Sequence, residues 1–221
     1  MSTDDLIQRL GDDLAPVRRL ASPGTRAAVW LVGAAVYVGG MAALAVSRHG
    51  RSAVTTHPLY VAQQVAVIVM AVTAAVAAFS SVIPGRSRRW LVMPLVPATV
   101  AMLLLAAGCL GDLRRYGTLG AGAETDWPCV VSMVLGGVAL WGAAVVMLRR
   151  GVPLSASTTG ALAALAALGA ANLEACVTRP HAFTITIVVW HGLTAVVLLT
   201  FLVSVAPRLL PWPTARVAAR R

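Results

Sequence analysis

The chain has 221 residues, of which 58% are hydrophobic and 12% charged, with a formal net charge of +10, and its mean hydropathy is +0.81. A soluble domain cannot hide that much apolar surface, so the composition excludes one and points to an integral membrane protein. All 18 basic residues are Arg. They fall between apolar stretches, so the charge reads as membrane orientation and anionic-lipid contact, with no direct nucleic-acid binding.

The first segment, "STDDLIQRLGDDLAPVRRL", departs from the rest. Ser2 or Thr3 is placed to cap a helix, with Asp4 and Asp5 at its positive end. Leu6, Ile7, Leu10, Leu14 and Val17 follow as one apolar stripe at helical period. Asp12 and Asp13 border the stripe, Gly11 weakens it, and Pro16 stops or kinks the helix. Residues 1–17 carry a net charge of −3, four Asp against Arg9. A helix lying on an anionic inner leaflet is normally basic on its polar face. An acidic one fits better in the groove of a basic protein partner, with Leu and Ile as anchors and Asp for steering. The expected contact set is Asp4, Asp5, Leu6, Ile7, Leu10, Asp13 and Leu14.

Six spans of roughly 20 to 25 residues follow, near 27–47, 59–83, 90–110, 127–148, 155–177 and 183–206, each long enough for a ~30 Å hydrocarbon layer. The first begins too late, after too acidic a stretch, to be a cleavable signal peptide. With the N-terminus inside, thirteen Arg lie in inner segments and five in outer loops, which favours cytoplasmic N- and C-termini. The expected fold is therefore all-α, a polytopic membrane helix bundle. Residues 1–24 form a cytoplasmic segment, 25–207 the transmembrane bundle and 208–221 a basic cytoplasmic tail. Outside the first 13 residues the acidic side chains are Asp112, Glu124, Asp126 and Glu174, all expected in or beside outer loops. An ion-coupled carrier usually keeps a carboxylate inside the bundle, so this pattern counts against one. "TGALAALAALGAA" in the fifth span reads as a close-packing helix surface.

The three cysteines, Cys109, Cys129 and Cys176, form no C-x-x-C, so a thioredoxin-type exchange centre is not indicated. All three fall at the outer ends of spans, a face that is oxidising in a bacterial envelope. Cys129 and Cys176 reach about the same height on the hairpin of spans four and five, and Cys109 with Cys129 is a second pairing. Cysteines acting as small apolar fillers, or a static disulfide, are the competing readings. His181 follows Cys176 by five residues. With Cys129 and Cys176, or with Cys109 or Asp112, it would complete a soft metal site, although the spacing matches no established ligand motif.

The N-terminal "DDLIQRLGDDLAPVRRL", the six spans, "GCL" at 108–110, "DWPC" at 126–129, the Cys at 176 and "PHAFTITIVVWHGL" at 180–193 together resemble the NrsF-type membrane anti-sigma factors. The resemblance runs over essentially the whole chain and rests on the order and spacing of short motifs. It implies an inner-membrane regulator, not an enzyme and without a cofactor. Its N-terminal helix holds an extracytoplasmic-function sigma factor and releases it when outer-face cysteines sense an oxidant or a thiophilic metal. By the same resemblance Cys129 and Cys176 are the family's cysteine pair, Cys109 is an extra, and His181, Trp190 and His191 match the "H…WH" pattern of the last span. The alternatives are a thiol-active or quinone-linked membrane oxidoreductase and a small transporter. No C-x-x-C or cofactor motif supports the first. No midplane carboxylate or broken-helix pair supports the second.

Overall fold

A computed structural model describes residues 3–12, 20–49, 58–83, 85, 87, 89–117, 127–151, 153, 155–178, 185 and 187–210. They form helices α1 (Thr3–Asp12), α2 (Pro23–His49), α3 (Pro58–Ser80), α4 (Arg89–Val92), α5 (Leu95–Tyr116), α6 (Trp127–Leu148), α7 (Ala156–Thr178) and, after a π-helical turn over Ile187–Gly192, α8 (Leu193–Leu209). Six helical stretches are long and apolar enough to cross a membrane, α4 with α5 and the π turn with α8 each counting as one.

α7 is the central helix. It packs on α2, α3, α6 and α8, and α5 packs chiefly on α3. Small side chains let these backbones approach, as membrane helix association requires where burial from water no longer drives it. A Cβ added at Gly169 would meet the Ala71 Cβ of α3 at 3.0 Å, and one at Gly160 would collide with Ala206 of α8. Ala74, Ala75, Ala77 and Ala78 of α3 are buried against this stripe, so the expectation of a close-packing fifth span holds.

The spans differ most from the sequence expectation in the third and the last. The third span continues six residues past 110, through Asp112, Arg114 and Arg115, because the helix ends only at Gly117. That residue takes a left-handed φ of 68° and returns its N–H to Leu113 O at 2.9 Å. The same span is broken near its start, between α4 and α5, where Pro94 interrupts the hydrogen-bond ladder. The last span opens with the π turn, whose wider register turns His191 into the bundle.

At the end of the bundle where α2 begins, α3 and α6 finish. Ser22 caps α2, its Oγ accepting from the Thr25 N–H at 3.1 Å. One turn on, the buried Arg26 donates to the Met147 carbonyl of α6 and lies over the Phe79 ring of α3, 5.2 Å from its centroid. Trp30 Nε1 donates to Leu140 O at 3.0 Å, and Trp141 Nε1 to Gly160 O at 3.2 Å. These bonds knit α2, α3, α6 and α7 together beside the point from which the N-terminal segment leaves.

Candidate functional site

The opposite end of the bundle carries the cysteines. α7 has a four-residue spacing from Asn172 to Cys176, which stacks both on one face. Cys176 Sγ lies 4.0 Å from Asn172 Oδ1. The π turn brings in His191, whose Nδ1 lies 3.0 Å from Asn172 Oδ1 and 3.6 Å from Cys176 Sγ. An amide oxygen can only accept, so the single Nδ1 proton of His191 is directed at Asn172 Oδ1, with Cys176 Sγ a second, longer neighbour of the ring. The Cys176 carbonyl in turn accepts from the Tyr60 hydroxyl of α3 at 2.7 Å.

Cys129, in the first turn of α6, is fully buried against Met133 and Ala175, with Ala195 beside them. It therefore shares a buried cluster with the sequence neighbour of Cys176, which is itself 1% exposed. Ser132 Oγ donates back to Cys129 O at 3.2 Å, and Trp127 lies 6.4 Å from Trp190, ring centroid to centroid, tying the start of α6 to the π turn. The structure thus gathers Cys129, Cys176 and His191 at one bundle end, all as side chains out of solvent. Cys109 stands apart. It is half-buried on α5, the helix that packs chiefly on α3. All three cysteines are present as thiols.

Glu174 adds to the sequence reading. The expectation placed it in or beside an outer loop, and it does lie one turn from the end of α7, but the side chain is 1% exposed, inside the bundle. Thr178 Oγ1 donates to Glu174 O at 2.9 Å and reaches Glu174 Oε1 at 3.5 Å. Glu174 lies one turn from the helix end and not at the midplane, so the argument against an ion-coupled carrier stands. Asn172 and Tyr60 also belong to the site and had no role in the sequence reading. The Asn172–Cys176 spacing was readable from "NLEAC". The Tyr60 contact was not, since it depends on how α3 lies against α7.

His181 falls outside the described residues. Among those described, no group of three or more His, Cys, Asp or Glu side chains is arranged to hold a metal. α1 is a ten-residue helix with Asp4 and Asp5 exposed in its first turn and Ile7 62% exposed. Leu6 and Leu10 belong to the same helix; Asp13 and Leu14 lie outside the described residues.

The family model NrsF, negative regulator of sigma F, matches residues 10–212. The chain matches no curated protein and no solved structure.

Proposed function

The chain belongs to the NrsF family, negative regulators of sigma F, and from that premise we propose that it is an anti-sigma factor of the bacterial inner membrane, with both termini in the cytoplasm and a sigma factor of the extracytoplasmic-function type as its target. Residues 1–24 form the binding segment, 25–207 the sensing bundle and 208–221 a basic tail. The observation that carries the reading is α1, an acidic helix whose Ile7 stays exposed instead of joining the core. An exposed apolar residue flanked by carboxylates suits a basic, apolar groove. One short helix buries modest area, so the affinity it supplies is modest and readily switched.

The proposed input is Cys129 with Cys176. A peroxide oxidises one thiol to the sulfenic acid and leaves as water. The second thiol then displaces a second water and closes a disulfide. Burial of both sulfurs favours a small neutral oxidant over a bulky one. Thiophilic metal as the inducer would need His181 or another ligand beyond the two sulfurs.

The test is affinity capture of cytoplasmic proteins on the detergent-solubilised full-length chain beside a version lacking residues 1–17. A sigma factor recovered only with the full-length bait supports the reading. Equal recovery, or none, would end it and leave a thiol-active membrane oxidoreductase as the reading to pursue by dithiol and quinone turnover.

A further inference from the structure

At the bundle end that carries Arg26, away from the cysteines, a cavity of about 490 Å³ opens between the end of α3, the α4 turn and the start of α7. Six of its lining residues bear hydroxyls: Ser80, Ser81, Ser87, Ser155, Thr158 and Thr159. Its other wall is apolar and includes Trp90 and Leu91. So dense a set of hydroxyls is unusual in a chain this apolar, and helix packing does not call for it.

Most of these hydroxyls are already engaged. Ser81 Oγ donates to Ala78 O at 2.8 Å and lies 2.7 Å from Thr159 Oγ1. Ser155 caps α7, its Oγ accepting from the Thr158 N–H at 3.3 Å. Ser87 Oγ accepts from the Arg89 N–H at 3.3 Å. Ser80 is different. It is 2% exposed, and its Oγ makes no hydrogen bond among the described residues. Buried hydroxyls are normally satisfied, and one left open on a cavity wall marks where a ligand atom belongs.

The electrostatics fix the sign of that ligand. Thr158 and Thr159 are in the first turn of α7, a 23-residue helix, so the positive end of its dipole faces the cavity. Arg89 is exposed at the first position of α4, between the lining residues Ser87 and Trp90. No acidic residue occurs in 27–111 or 127–173, so no carboxylate from these stretches competes for the site.

We propose that this cavity binds a phosphate group, with the Ser80 hydroxyl as donor, the positive end of the α7 dipole beside it and the Trp90 and Leu91 wall against the apolar part of the molecule that bears it. Two sources share that chemistry, the headgroup of an anionic membrane lipid and a free phosphate. The volume exceeds what inorganic phosphate alone would fill, and the apolar wall fits an amphiphile.

The experiment is native mass spectrometry of the full-length protein in detergent, with phosphatidic acid, diacylglycerol or inorganic phosphate added at equal concentration. The expected result is retention of phosphatidic acid but not diacylglycerol, weakened about tenfold by Ser80→Ala, with the thermal midpoint of the ligand-free protein unchanged. Ser80→Leu, which fills the cavity, abolishes retention. Ser80-dependent binding of inorganic phosphate equal to that of phosphatidic acid keeps the site and assigns it to the free anion. Phosphatidic acid retained equally by the parent and both Ser80 variants, or retained no better than diacylglycerol, overturns the proposal.

Discussion

Replacing Arg26 by Ala removes two contacts at once. The side chain is 7% exposed, donates to the Met147 carbonyl and lies over the Phe79 ring. A hydrogen bond from a charged donor contributes about 1.5–3 kcal/mol, and a cation over an aromatic face about 0.5–2 kcal/mol. The deletion also leaves a carbonyl near the end of α6 without its donor, while water at the bundle end recovers part of that loss. The expected destabilisation is about 2–4 kcal/mol, read by equilibrium unfolding with SDS in mixed micelles. Arg26→Lys keeps the charge but not the planar donor fork, so it falls between the parent and Ala. Phe79→Leu in the Arg26→Ala background costs less than in the parent, with a coupling of about 0.5–1 kcal/mol. A loss within about 0.5 kcal/mol for Arg26→Ala is what a surface substitution produces, and it would refute the claim that this residue anchors α2 to α6.

Three other outcomes follow from the packing. A water-soluble maleimide modifies half-buried Cys109 before Cys129 and Cys176, as peptide mass mapping over time would show, and equal rates would contradict the buried placement of the latter two. Gly160→Val forces α7 from α8 at Ala206 and costs about 1–3 kcal/mol by the same SDS titration, whereas Gly142→Ala, with nothing within 4 Å, is neutral or better. Asn172→Leu takes the acceptor from His191 Nδ1 and costs about 1–3 kcal/mol, and an unchanged thermal midpoint would show that this hydrogen bond does not hold the π turn.

The six spans were legible because hydropathy alone separates them, and their ends were less so. Hydropathy falls at Asp112, but helicity does not. Charged residues continue α5 beyond the apolar layer until Gly117 can adopt the left-handed cap. The π turn left no pattern to read, since one extra residue in a turn disturbs neither composition nor mean period. The same division runs through the site. Counting residues along the α6–α7 hairpin placed Cys129 and Cys176 at one height, and the burial of Cys129 against Ala175 agrees with it. That His191 would meet Asn172 and Cys176 required knowing the rotation of one helix against another, which a single chain's periodicity does not encode. Glu174 falls near the end of its span as expected, but its burial was not legible, because it depends on which face of α7 meets its neighbours.

A regulator that senses at one bundle end and binds at the other needs an element that spans both and can move. α7 is poorly suited, since it is packed on four sides by close-fitting small residues. α6 is better placed. Its 22 residues rise about 33 Å as a stiff rod, with Cys129 in the first turn and the Met147 carbonyl in the last. A change in how Cys129 sits against Ala175 would tilt or rotate that rod as a unit. Arg26 is bonded to its far end, and α2 is the first long helix after α1. A coupling claim needs such a two-state element rather than mere proximity, and the proposed cysteine input supplies the two states as dithiol and disulfide. The prediction is that Arg26→Ala leaves α1 able to capture the sigma factor but makes capture indifferent to peroxide. On the proposed reading, the parent chain is expected to lose its partner on oxidation. If the Arg26→Ala protein, shown folded by its helical circular dichroism, still releases the sigma factor with the parent's dose response, the signal does not pass through the α6–α2 contact.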